Sequence, residues 1–169
     1  MGHVAVVIFA AFLAGCVTAF TPTEWPLGDG VIPAFSVAGT VTISNAQSSW
    51  EPVIVFSGMG QKLSSDLKTI TEVMVQGAQK ELQKNGRSTA TDGSKSIALK
   101  VKFLQSRIIV GAFHTRSRIE FQAALGNGQA IDFVVTHASA VVSQDLNGCI
   151  AEGVMTLFKD ERVKAYLAS

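Results

Sequence analysis

The sequence predicts an α+β fold: an antiparallel sheet of three or four strands, with one long helix and a C-terminal helical segment packed on one face. Three observations predict it. Leu63, Leu67, Ile70, Met74, Ala78 and Leu82 recur at three- and four-residue steps, the stripe of an amphipathic helix. Residues 97–103 and 108–125 alternate apolar and polar side chains, the period of half-buried strands. No βαβ series and no dinucleotide fingerprint accompanies them.

The elements follow in chain order. Val41, Thr42, Ile43 and Ser44 open the domain as a short strand, and a polar break follows. Val53, Ile54, Val55 and Phe56 form an apolar run whose start suits Pro52. Gly58, Met59 and Gly60 turn the chain, and Ser64, Ser65 or Asp66 can cap the helix that follows. Asn85 and Gly86 end this helix, where a left-handed cap favours glycine. Residues 87–95 read as a polar connection.

Ile97, Leu99, Val101 and Phe103 then point inward, with Lys100 and Lys102 on the wet face. Residues 104–107 read as a turn. In the long stretch after them, Phe113, Thr115, Ser117, Ile119, Phe121 and Ala123 face one way. His114, Arg116, Arg118, Glu120 and Gln122 face the other, and Gly111 is placed to bend the strand. Gly126, Asn127 and Gly128 make a hairpin turn, and residues 131–142 return. A register symmetric about Asn127 pairs residue 114 with 140, so His114 and His137 do not face each other. A second helix over 143–158 turns Leu146, Ile150, Val154 and Leu157 inward. Asp160 caps a short last helix that buries Val163, Tyr166 and Leu167.

Composition narrows the function. Lysine and arginine number 14 against 13 aspartates and glutamates, so no strong field draws nucleic acid. Residues 1–15 carry no Lys, Arg, Asp or Glu. Setting them aside lowers the apolar fraction from 47% to roughly 44%, ordinary for a soluble domain. The positive mean hydropathy therefore comes partly from this leader.

The apolar run at 4–14 is shorter than the ~20 residues of a membrane span and fits the core of a secretory signal. It ends in Leu13, Ala14, Gly15 and Cys16, which resembles the bacterial lipoprotein signal, whose motif reads Leu, small, small, Cys. The resemblance implies a diacylglyceryl thioether on Cys16, cleavage before it and acylation of the new amino group. Palmitate-like chains would then anchor the protein, each buried CH2 contributing about 0.8 kcal/mol. Val17, in place of an aspartate at that position, implies the outer membrane by the same resemblance.

The expected divisions are a signal peptide at 1–15, a lipidated Cys16 with a tether to residue 38, and one periplasmic domain at 39–169. Pro22, Pro26, Pro33, Gly28 and Gly30 make the tether read as a loose linker. With Cys16 lipidated, Cys149 has no disulfide partner. It lies at helical spacing among Leu146, Ile150 and Val154 and reads as core.

The whole layout resembles the YajG-like family of small proteobacterial outer-membrane lipoproteins. The resemblance covers residues 16–167: the lipoprotein motif, the Val41-Thr42-Ile43 strand, the helix ending in Lys84-Asn85-Gly86, the Leu99-Lys100-Val101 strand, the Asn127-Gly128 hairpin and the helical close at 163–167. It implies an envelope lipoprotein with no established enzymatic activity and supplies no catalytic residue.

The residues agree with that expectation. His114 and His137 lack metal-ligand spacing, and no phosphate loop or nucleophile elbow is present. Asp132, Asp145 and Glu152 read as solvated charges. No enzyme, cofactor or metal is expected. Lys100, Lys102, Arg107, Arg116 and Arg118 form one charge cluster. It reads either as a solvated sheet face or as a contact for an envelope protein, lipopolysaccharide phosphates, anionic lipid or peptidoglycan. The function expected is a lipid-anchored, non-catalytic binding or scaffolding domain. The alternative is a small-ligand or lipid carrier using a cleft between sheet and helices.

Overall fold

Among the described residues, helical and strand periods settle into three helices and one sheet. The computed structural model describes residues 17–111 and 114–169. Leu13, Ala14, Gly15, Cys16 and Phe113 lie outside the described residues. The strands are β1 (Val17–Ala19), β2 (Phe35–Asn45), β3 (Pro52–Gly58), β4 (Gln61–Asp66), β5 (Gly86–Ile109), β6 (His114–Leu125) and β7 (Ala130–Ser139). The helices are α1 (Leu67–Asn85), α2 (Val142–Lys159) and α3 (Glu161–Ala168).

The sheet corrects the expected fold class. Among the described residues it has seven strands and is mixed, not three or four antiparallel strands. The order is β1-β4-β3-β5-β6-β7, with β2 also on β5. β1 runs parallel to β4, β2 parallel to β5, and Phe56 of β3 bridges Ser106 of β5 in parallel. The reason is β5. The polar stretch 87–95, expected as a connection, is its first half, held by β2 from Phe35↔Gly86 onward. One long strand thus offers one edge to β2 and β3, and the other to β6.

Several local expectations hold. Asp66 caps α1, its carboxyl accepting from Thr69 N at 2.7 Å. Asp160 caps α3 in the same way. The β6–β7 hairpin is symmetric about residue 127, with Thr115↔Ser139 and Ser117↔His137. Residues 108–125 instead divide into β5 and β6, joined by a turn in which Gly111 takes φ +83°.

Gly86 is not a left-handed cap. It is extended, and the glycine is needed because a Cβ there would meet the Leu82 carbonyl oxygen at 2.5 Å. Phe103 does not point inward either. A bulge between Val101 and Phe103 places one extra residue, Lys102, in β5 and reverses the alternation after it. Phe103 is turned out, and Leu104 and Ser106 are turned in. Thr71 Oγ1 accepts from Val101 N at 3.1 Å, and Gln47 Nε2 donates to Val101 O at 2.7 Å. Both polar groups at the bulge are thereby satisfied inside the core.

The expected tether is a strap. β1 pairs with β4, and Phe20, Ile32 and Phe35 are buried, the last stacked on Phe158 at 5.1 Å between centroids. Between them the chain crosses α1 and α2. Thr23 N donates to Asn147 Oδ1 at 3.0 Å, Lys80 pairs with Glu24, and Lys84 pairs with Asp29 at 2.7 Å. Prolines and glycines gave this stretch no period, yet individual side chains fix it.

Candidate functional site

Among the described residues the helices cover one face of the sheet, and the charged set is displayed on the other. On β6, Thr115, Ser117, Ile119, Phe121 and Ala123 are buried under the helices, while Arg116 and Arg118 point outward. The bulge at Lys102 brings Phe103, Gln105 and Arg107 of β5 to the same outer face. Cross-strand pairs then line up as Phe103↔Glu120↔Val134, Gln105↔Arg118↔Thr136 and Arg107↔Arg116↔Ala138. An open depression forms there, lined by Phe103, Ile109, Arg107, Arg116 and Arg118.

The five predicted cations are therefore divided. Lys102 is neutralised by Asp132 at 2.6 Å, and this bond holds the Asp132 carboxyl below its ordinary pKa. Arg118 is paired with Glu120 at 2.8 Å. Lys100 is exposed beside Gln122, seven residues along β5 from Arg107 and so roughly 23 Å away. Arg107 and Arg116 stand directly opposite each other. Arg107 donates to Gln105 Oε1 at 2.9 Å, and among the described residues no carboxyl pairs with either guanidinium. Like charges placed opposite each other on a ladder repel.

The covered face holds a polar cluster that sequence reasoning missed. Asp145, expected as a solvated charge, is fully buried in the first turn of α2. Ser106 Oγ and Ser117 Oγ each donate to Asp145 Oδ2 at 2.7 Å. His137 Nδ1 lies 3.2 Å from Asp145 Oδ1. The helix can approach the imidazole this closely because residue 148 is glycine; a Cβ there would come within 2.5 Å of the ring. The signal was legible: Ser117 lay on an apolar strand face, and Asp145 stands four residues before the buried Cys149.

Serine, histidine and aspartate together invite comparison with a nucleophilic triad, but the connections are wrong for one. The nucleophile must donate to the histidine, and the histidine to the acid. Here both serines donate to the acid itself, and both are sealed from solvent. The cluster satisfies a buried carboxyl group at a helix N-terminus, where the helix dipole favours it. His114 lies opposite Ile109, well apart from His137, and among the described residues no three His, Cys, Asp or Glu side chains form a metal site.

Cys149 is buried on α2, its Sγ facing the Val135 carbonyl oxygen at 3.8 Å. Burial, with the Asp145 charge, pushes its thiol up to about 12 from 9.0. A raised thiol pKa stabilises the fold fully below about 9 and loses that contribution as pH rises toward 12. We expect folding stability to fall by up to ~1.4 kcal/mol per pH unit in that window. Urea titrations of wild type and Cys149→Ala isolate this term. Parallel pH dependences in the two proteins would refute it.

No helix among the described residues is long and apolar enough to cross a membrane. No known family model matches the chain, and no curated protein matches it.

Proposed function

We propose that the chain is a lipid-anchored, non-catalytic envelope lipoprotein, held on the periplasmic face of the outer membrane by acyl chains on Cys16, whose bare sheet face binds an anionic partner. The observation that carries the binding role is the opposition of Arg107 and Arg116 on an uncovered face. Two guanidiniums with no carboxyl partner among the described residues suit a bidentate phosphate or carboxylate from outside. The anchoring rests on the Leu13, Ala14, Gly15 and Cys16 motif. The likeness to YajG-like lipoproteins rests on that motif, on the long helix and on the Asn127-Gly128 hairpin.

The filled interior favours a partner surface over a carried ligand. Between sheet and helices, Met74, Val101, Ile119, Phe121 and Leu146 all belong to one buried apolar cluster. The hollow lined by Trp25, Leu27, Val73 and Val154 lies instead between the strap and the helices α1 and α2.

Radiolabelled palmitate tests the anchoring. The wild-type chain should incorporate label and fractionate with outer membranes. Cys16→Ala should remain an unlabelled, slower-migrating precursor. If that variant still took up label and fractionated like wild type, the reading would be wrong.

A further inference from the structure

Strand register gathers separate parts of the chain at one end of the sheet. Val17 pairs with Lys62, and Lys62 with Ser57. Phe56 bridges Ser106 in parallel, so Ser57 is level with Arg107, which faces Arg116. One row therefore runs from Val17 through Lys62, Ser57 and Arg107 to Arg116. Immediately beyond it lie the β3–β4 turn, with Met59, and Val110 at the end of β5.

Those turns expose apolar side chains. Met59 is 91% exposed, Val110 96% and Val17 55%. Met59 also takes φ 52°, between Gly58 and Gly60. A left-handed methionine costs conformational energy that asparagine or glycine would largely avoid, and this one buries nothing. Strained, exposed and apolar together mark a residue held out for a surface that receives it. Lys62, Arg107 and Arg116 beside it have no ion-pair partner among the described residues.

The first described strand identifies that surface. Val17 is already in the ladder, and Cys16 precedes it by one peptide unit, about 3.8 Å between Cα atoms. On the proposed reading that Cys16 carries the lipid, no slack chain separates the anchor from the sheet. The geometry points to direct seating of this end of the sheet on the bilayer. Met59 and Val110 enter the headgroup boundary, and Lys62, Arg107 and Arg116 meet lipid phosphates.

The test uses the full lipidated chain in vesicles of phosphatidylethanolamine and phosphatidylglycerol. An environment-sensitive fluorophore is attached at Met59→Cys, at Val110→Cys or, as control, at Asn127→Cys on the hairpin at the opposite end. Labels at 59 and 110 should shift to the blue, be quenched by spin-labelled lipid and be several-fold less quenched by aqueous iodide than the label at 127. Arg116→Glu should reduce that protection at 110 without lowering the unfolding midpoint, since it places a carboxylate opposite Arg107. If the protein floats with vesicles but all three labels are equally open to iodide, the seating is refuted and the anchor stands. If the wild-type chain does not float at all, both fall.

Discussion

Asp145→Ala is expected to destabilise the fold by about 3–5 kcal/mol, because two charge-assisted hydrogen bonds are lost in a place water does not reach. The variant leaves Ser106 Oγ and Ser117 Oγ as donors without their acceptor, at 1% and 0% exposure. It also leaves the His137 imidazole facing a void. Such a loss is a large share of the 5–15 kcal/mol that ordinarily holds a domain folded. The effect should be strongly non-additive. Removing the carboxyl together with both hydroxyls eliminates the unmet donors, so the triple variant to alanine should be no less stable than Asp145→Ala alone. Urea denaturation with unchanged slope reads both numbers. A single-variant cost within about 1 kcal/mol of zero would sink the assignment of this cluster as a structural keystone.

Gly39→Ala should cost about 2–4 kcal/mol, for a reason that has nothing to do with hydrophobic packing. Gly39 takes φ +75°, at the bulge between Ala38 and Thr40 where β2 shifts register against β5. A Cβ there would lie 2.3 Å from the Gly93 carbonyl oxygen and 2.8 Å from its carbon. Both are backbone atoms, so relief requires the parallel ladder to part. Gly60 provides the control. Its φ is also +75°, but no atom of the described residues lies within 4 Å of its Cβ position. Gly60→Ala should therefore show only the left-handed penalty, about 1 kcal/mol. Equal shifts in the urea midpoints of the two variants would mean that the close approach of Gly39 to Gly93 does not matter to stability.

These expectations rest on features of unequal legibility. Helix α1 could be read because its stripe from Leu67 to Leu82 repeats within neighbouring turns, although Leu63, read into the same stripe, lies in β4. The β6–β7 hairpin could be read because Asn127-Gly128 fixes a two-strand register by local geometry alone. The pairing of β2 with β5 could not, since Phe35 meets Gly86 across a whole helix and two strands. Nothing in the polar run from Arg87 to Lys95 marks it as a strand until β2 lies beside it. The charged set was visible as a list. Its division was not, because one inserted residue at Lys102 decides which of its neighbours face outward.

The sequence by itself determined what local repetition and short-range chemistry can encode: the helices, a cap for α1 among Ser64, Ser65 and Asp66, the Asp160 cap, the hairpin at 127, the burial of Cys149 and the lipoprotein-like motif ending at Cys16. Only the tertiary structure decided the mixed sheet, the buried Asp145 with its two serines, the facing arginines and the strap in place of a tether. The physical reason is separation along the chain. Asp145 finds its partners at 106, 117 and 137, and Val17 finds its own at 62. No window of neighbouring residues contains both ends of such a contact, so its free energy exists only once the chain has folded.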